Sequence, residues 1–355
     1  MSDFDTSVPI DEAFTPPSAW YTGAEFAAVE RARVFSSGWQ FVARSDQLTN
    51  PGEFVTGEVA GEPYLITRGD DGVLRAFFNV CRHHAAEVAH GSGCAHEFQC
   101  PYHGWTYRND GSLKKAPKLG AAKNFHPKDY GLVEMPVTSW GPFVGIQLRP
   151  KKEGSSLNAS ELFGEINEHF KSSGWTDLQF VARRSWDLEC NWKVYVDNYL
   201  DGGYHVDVLH KELASRLDLD AYQTHAYERS VLQVCGGTGD VRVGEHALYG
   251  WVYPNFMLNR YGPWLDSNLV LPLGATRCRV IFDYFCAVEK ASDQDFIAAS
   301  MRSSEQVQQE DIAICESVQR GLSSRGYERG RYAPGLEIGE YLFHSLLQQD
   351  MTPSP

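Results

Sequence analysis

Apolar residues recur along this chain with two periods, and the switch between them divides it. Residues 17–36 open on proline and place Phe26, Val29, Val34 and Phe35 at helical spacing, which predicts an N-terminal helix. From Trp39 to Phe78 the pattern becomes short β-rich runs, WQFVA, EFVTGEV, PYLITRG and LRAFFNV, broken by Pro51-Gly52, Gly61 and Asp70-Asp71-Gly72. Such runs between turn residues make a small antiparallel β domain, closed by strands expected at 130–138 and 142–148. The polar, Ser-rich segment 151–160, KKEGSSLNAS, reads as a domain boundary. Beyond it, helical stretches mix with strands expected at 230–236, 248–257, 268–273 and 277–287, and the chain ends on a long helix from near Ser292 to Leu322. The predicted fold is α+β, with a helical arm over 1–37, a β domain over 38–150, and a larger domain over 151–355.

Composition narrows this picture. At 355 residues, with 43% hydrophobic and 13% aromatic residues, the chain can bury two sizeable cores. No apolar run reaches the length of a membrane span, so none is expected. A net charge of −14 argues against a nucleic-acid partner and is compatible with a cationic substrate. The N-terminus lacks signal-peptide and transit-peptide features, and the eight cysteines form no disulfide-like framework. Both observations read as a cytoplasmic protein, or one of the plastid stroma if a targeting segment has been removed.

Candidate chemistry concentrates between Cys81 and Trp105. A Cys-x-His pair, Cys81 and His83, is followed after sixteen intervening residues by a Cys-x-x-His pair, Cys100 and His103. Two Cys and two His can hold tetrahedral zinc, but zinc modules usually group like ligands together. One of each in either loop suits a 2Fe–2S cluster with one iron held by two cysteines and the other by two histidines. Pro101, Gly104 and Trp105 supply the tight turn that brings backbone N–H groups to the sulfides. Downstream, Lys114, Lys115, Lys118, Lys123 and Lys128 interrupt an acidic protein. A solvated loop accounts for them, and the sharper reading is a docking patch for an acidic electron donor.

A second metal site is suggested by His205 and His210, with four residues between them. On a regular helix such a pair diverges by about 140°, so convergence needs the irregular backbone that Gly202 and Gly203 allow. An electron-delivering cluster needs an acceptor, and a non-haem Fe(II) held by two His and one carboxylate fits. Asp311 is the candidate carboxylate because Val307, Ile314, Cys315 and Val318 surround it with an apolar helical stripe. Glu310 faces Ser303, Ala313 and Ser317 and is the weaker candidate.

These motifs resemble the Rieske non-haem iron oxygenases, the aromatic-ring-hydroxylating superfamily. The chain has His84 where most members have Arg. The resemblance implies a Rieske domain joined to a helix-grip catalytic domain, in which covering helices pack on an antiparallel sheet. It also implies His205, His210 and Asp311 as iron ligands and Asn198 beside the iron. Asp201 would be the acid that bridges to a Rieske histidine of the neighbouring subunit, although it stands four residues before His205 where many relatives have three.

Within that superfamily, DNYLDGGYHV (197–206), YPNFMLNRYGPW (253–264), NLVLPLG (268–274) and CESVQRGL (315–322) are similar to the choline-oxidising branch of plants. The implied activity is oxidation of choline by O2 to betaine aldehyde hydrate, the first step of glycine betaine synthesis. Electrons would come from a ferredoxin or ferredoxin reductase, and the working unit would be a homotrimer. A trimethylammonium group is recognised by aromatic faces, and Tyr204, Trp251, Tyr261 and Trp264 are the candidate cage, although core packing explains many aromatic residues equally well. The alternatives are an oxidative N-demethylase or C–N cleaving oxygenase acting on betaine or carnitine, and an electron carrier or sensor without oxygenase chemistry.

Overall fold

The computed structural model describes residues 4–152 and 159–352, so the middle of the expected linker, 153–158, lies outside the described residues. Two compact units result, one over Phe35–Leu162 and the other over Met1–Val34 with Phe163–Pro355. In place of one regular N-terminal helix there are α1 (Ala19–Thr22) and α2 (Ala24–Val29), the latter continuing into a π-helical turn over Glu30–Phe35. Gly23 separates them with an extended backbone. The segment is pinned to the larger unit by Glu30, which is buried, accepts from Trp192 Nε1 at 2.8 Å and pairs with Lys193.

The smaller unit holds β1 (Gln40–Arg44), β2 (Glu53–Val59), β3 (Glu62–Arg68), β4 (Leu74–Phe78), β5 (Ser92–Cys94), β6 (Glu97–Gln99), β7 (Thr106–Arg108), β8 (Leu113–Lys115), β9 (Glu134–Met135), β10 (Val137–Trp140) and β11 (Phe143–Ile146). They form antiparallel sheets ordered β1-β11-β10, β5-β2-β3-β4-β9 and β6-β7-β8. Two-residue hairpins want positive φ at their central positions, and Ala60 (φ 50°) and Gly61 (φ 81°) supply it between β2 and β3. Leu65, Phe77, Phe98, Trp105 and Tyr107 build a core that also contains Cys81 and Cys100, so the cysteine loops are anchored in the interior.

The larger unit carries α3 (Ala159–Ser172), α4 (Trp192–Leu200), α5 (Val206–Leu209), α6 (Lys211–Ala214), α7 (Gln294–Leu322) and α8 (Ile338–Met351). Its strands are β12 (Leu178–Leu188), β13 (Leu217–Ala226), β14 (Ser230–Asp240), β15 (Gly244–Val252), β16 (Phe256–Tyr261), β17 (Trp264–Pro272) and β18 (Cys278–Ala287). They pair in one antiparallel seven-stranded sheet, ordered β12-β18-β17-β16-β15-β14-β13. The α+β expectation holds, with corrections in detail. The expected strand at 248–257 is two strands joined by a turn at Tyr253-Pro254, and α8 follows the helix expected to end the chain. Strands β12 and β13 were not anticipated, because about half of their residues are polar and nearly all are half-buried or exposed, which leaves no clear apolar alternation. Helix α4 packs against α7, α8 and β17, and this layer covers the sheet.

Candidate functional site

The two cysteine loops share one backbone design. In each, the cysteine N–H bonds to a carbonyl five residues on (Ala86, Trp105), and its own carbonyl accepts from the residue four on (Ala85, Gly104). That fourth residue has positive φ in both, 62° at Ala85 and 72° at Gly104. Sequence reasoning found the glycine and missed the alanine, since nothing marks an alanine as left-handed. Cys81 and Cys100 are buried, His83 is half-buried and His103 exposed. The two imidazoles lie 4.7 Å apart between ring centroids, and His83 stacks on Trp105 at 4.9 Å.

This donor set fits a Rieske cluster, because Nδ1 of His83 is buried with no hydrogen-bond partner, an orphan that a metal would satisfy. Loss of solvation, helped by His84 and His103, holds the His83 imidazole below its ordinary pKa, towards the neutral form that ligates. Tyr107, not foreseen from sequence, sets its hydroxyl 3.3 Å from the Cys81 sulfur and accepts from Arg82 N. His84 is exposed beside His83, with ring centroids 4.0 Å apart.

In the larger unit, α4 ends at Leu200 and the chain turns through Gly202 (φ 71°) and Gly203 (φ 78°). A Cβ at Gly202 would strike the Leu336 carbonyl, so the turn is closed to other residues. This break lets His205, just before α5, and His210, just after it, converge with ring centroids 5.0 Å apart. Both direct Nε2 at Asp311 Oδ1, His210 at 3.1 Å and His205 at 4.0 Å. The donor atoms of the three residues lie within 4.8 Å of one another. Nδ1 of His205 meets Asp201 Oδ2 at 2.6 Å, and Nδ1 of His210 meets Glu310 Oε2 at 2.7 Å. Each ring is thereby held with Nε2 free for a metal, the arrangement that outer carboxylates give metal-binding histidines. Burial alone would lower the His210 pKa, but Asp311 and then Glu310 raise it overall. Asn198 Nδ2 donates to Asp311 Oδ1 at 2.9 Å.

Two expectations are corrected here. Asp311 is buried, but not within an apolar stripe: Ile314 and Val318 are 39% and 44% exposed. Its buried companions on α7 are Ser304, Gln308, Cys315 and Gln319, a mostly polar seam. Glu310, set aside as the weaker ligand candidate, is the hydrogen-bond partner of His210.

A cavity of about 130 Å³ opens onto His205, His210 and Asp311, close to the ~150 Å³ that holds benzene in an engineered core. Its floor is a row across the sheet: Gln233 pairs with Tyr249, Tyr249 with Asn259, and Asn259 with Asp266. Strand alternation turns this row towards α4 and α7, which add Tyr195, Tyr199 and Gln308. Of the four cage candidates only Tyr261 lines the cavity, and Arg242 already stacks on it at 4.9 Å. Trp251 and Trp264 are fully buried and do not line the cavity, although Trp264 pairs across the sheet with Tyr261. Trp251 packs on Tyr253 and Phe343, and Trp264 on Tyr284 and Phe296. Tyr204 is 58% exposed. The aromatic lining is instead Tyr195, Tyr199, Tyr222, Tyr249 and Phe282. Within the wall Arg242 donates to Tyr261, which donates to Asp266 at 2.5 Å, and burial raises the Asp266 pKa.

The fold and both donor sets define a class, and comparison with known proteins identifies it. Residues 38–126 match the Rieske [2Fe-2S] domain and residues 175–352 the ring hydroxylating alpha subunit catalytic domain. The chain belongs to the Rieske non-haem iron oxygenases, enzymes with a 2Fe–2S cluster and a catalytic domain that binds mononuclear iron. Among its relatives, a chloroplastic choline monooxygenase of Arabidopsis thaliana is 44% identical, covering 99% of this chain and 86% of the relative. A carnitine monooxygenase oxygenase subunit of Acinetobacter pittii is 32% identical over 89% of this chain and 87% of its own. A solved quaternary ammonium Rieske monooxygenase, described in terms of carnitine oxidation and inter-subunit electron transfer, superposes with a TM-score of 0.85 at 28% identity, covering 98% of both chains. No helix among the described residues is long and apolar enough to cross a membrane.

Proposed function

We propose that this oxygenase oxidises choline at its hydroxymethyl carbon to betaine aldehyde hydrate, the first step of glycine betaine synthesis. One observation carries the reading: a cavity the size of a small organic cation, walled by tyrosine and phenylalanine, ends at His205, His210 and Asp311. Aromatic faces attract a quaternary ammonium that offers no hydrogen-bond donor. The near full-length similarity to plant choline monooxygenases adds to it.

In this reading His205, His210 and Asp311 hold Fe(II), which supplies the place where O2 is reduced next to the substrate. Cys81 and Cys100 hold one iron of the cluster, and His83 and His103 hold the other. Asn198 steadies the Asp311 carboxylate, while Asp201 and Glu310 fix the tautomers of the two histidines. Asp201 also connects His205 to the exposed Rieske histidine of a neighbouring copy, so that the working unit is a homotrimer with electrons crossing between subunits. A ferredoxin or its reductase, in a cytoplasmic or stromal compartment, docks on the exposed Lys115, Lys118, Lys123 and Lys128, whereas Lys114 is paired with Glu97.

A second reading has its own observation. Arg242, buried in the cavity wall, leaves Nε without a partner. A quaternary amine that also bears a carboxylate, such as carnitine or a betaine, would pair with it and be cleaved or demethylated. Turnover with a surrogate ferredoxin and reductase separates the two. Betaine aldehyde from choline supports the first reading, whereas formaldehyde or C–N cleavage products from a carboxylated amine, with choline inert, establish the second.

A further inference from the structure

The cavity wall has hydrogen-bonding capacity that the protein does not use. Gln308 is 1% exposed and accepts from the Tyr195 hydroxyl at 2.6 Å through Oε1, yet its Nε2 has no partner. Gln233, also 1% exposed, donates from Nε2 to the Tyr199 carbonyl at 3.0 Å and leaves Oε1 unpaired. Both residues line the cavity. Buried amide atoms are seldom left unpaired in a native protein, and one donor and one acceptor over the same space call for a ligand that offers both. A trimethylammonium group offers neither. A hydroxyl offers both.

We propose that Gln308 Nε2 donates to the hydroxyl oxygen of the substrate and thereby selects an alcohol. This rests on the quaternary ammonium reading above and assigns the other end of that substrate. Gln308 stands three residues before Asp311 on α7, so the two share a helix face. A hydroxyl held by Gln308 presents its own carbon to the Asp311 end of the cavity and leaves the methyl groups for the aromatic wall. Gln308 is therefore the residue that decides between attack at the alcohol carbon and attack at an N-methyl.

The test measures dissociation constants for choline and for ethyltrimethylammonium, which lacks only the hydroxyl, in the iron-loaded resting enzyme. The unmodified protein should prefer choline by about three- to tenfold, the worth of one neutral hydrogen bond. Gln308→Leu should bring choline down to the affinity of ethyltrimethylammonium and leave the latter unchanged. Gln308→Met, uncharged and of similar length but without an N–H, should do the same and serves if the leucine variant does not fold. Tyr195→Phe, which breaks the other bond of Gln308 but keeps its N–H, should retain the preference. A preference that survives both Gln308 variants, or variants that weaken both ligands equally, overturns the assignment. Equal affinity of the unmodified protein for both cations overturns the assignment alone, while binding of neither overturns the quaternary ammonium reading with it.

Discussion

His210 Nδ1 and Glu310 Oε2 lie 2.7 Å apart, and this bond fixes which nitrogen of His210 faces Asp311. Glu310 sits next to Asp311 on α7, so one helix supplies both the candidate ligand carboxylate and the group that orients a second candidate ligand. Glu310→Ala should weaken iron binding about 10- to 100-fold, the usual cost of losing such a partner. Glu310→Gln, which can still accept the bond, should lose less. Iron titration of metal-free protein checks the order, and an alanine variant with undiminished affinity would remove Glu310 from the site.

The counterpart on His205 has a different consequence. Asp201 accepts from Nδ1 and from the backbone N–H of Gly203, Tyr204 and His205, and asparagine can keep much of that pattern while losing the charge. Asp201→Asn should therefore keep both metals and lose about 100-fold in turnover. Rapid-mixing oxidation of the reduced cluster locates the defect. A variant whose cluster still delivers its electron at the original rate hands the bridging role to another acid.

What the sequence revealed depended on how local each signal was. The metal-ligand candidates were legible because their spacing is written in short stretches: Cys81 with His83, Cys100 with His103, and Gly202-Gly203 ahead of His205. Asp311 was chosen by its apolar neighbours, two of which point outward, so the residue was picked for a reason the structure does not share. The cavity aromatics were not legible. Tyr249 and Trp251 sit on the same face of β15, and only cross-strand register, which brings Tyr249 beside Gln233 and Asn259, decides which of them meets the cavity. Glu310 and Gln308 were hidden for a similar reason, since their roles rest on partners 100 and 113 residues away in the chain.

Near the C-terminus, Glu340 has Asp197 and His344 close by, and its carboxyl is held well above the usual range by burial first and by Asp197, Glu337 and Asp201 after it. A carboxyl whose folded pKa is raised contributes stability below its unfolded pKa, near the ordinary glutamate value, and loses it as pH rises through the folded pKa. Glu340→Gln should thus gain in thermal midpoint relative to the unmodified protein as pH rises from about 5 to about 8, with the least difference at the acid end. Midpoints measured across that range decide it. A difference that is constant with pH, or that shrinks as pH rises, contradicts a protonated Glu340.

The final prediction concerns the charge of the substrate. With Tyr204, Trp251 and Trp264 outside the cavity and Arg242 stacked on Tyr261, a quaternary ammonium must find its aromatic faces among Tyr195, Tyr199, Tyr222, Tyr249 and Phe282. Tyr222 and Tyr249 already stand nearly parallel, with ring centroids 6.4 Å apart and planes 16° from each other, and the hydroxyl of Tyr199 is tied to Leu258 O and Asn259. Rings fixed in this way can present their faces without loss of freedom on binding. Each cation–π contact is worth about 0.5–2 kcal/mol, so losing one ring should weaken choline about two- to thirtyfold. In 3,3-dimethylbutanol carbon replaces the nitrogen, which keeps shape and hydroxyl and removes the charge. The unmodified enzyme should therefore bind it far more weakly than choline, and Tyr199→Leu, Tyr222→Leu or Tyr249→Leu should narrow the gap by weakening choline alone. Tyr249→Phe, which keeps the ring, should preserve it. Equal affinities for the cation and its neutral isostere in the unmodified protein would sink the cage, and with it the argument that this cavity is built for a quaternary ammonium.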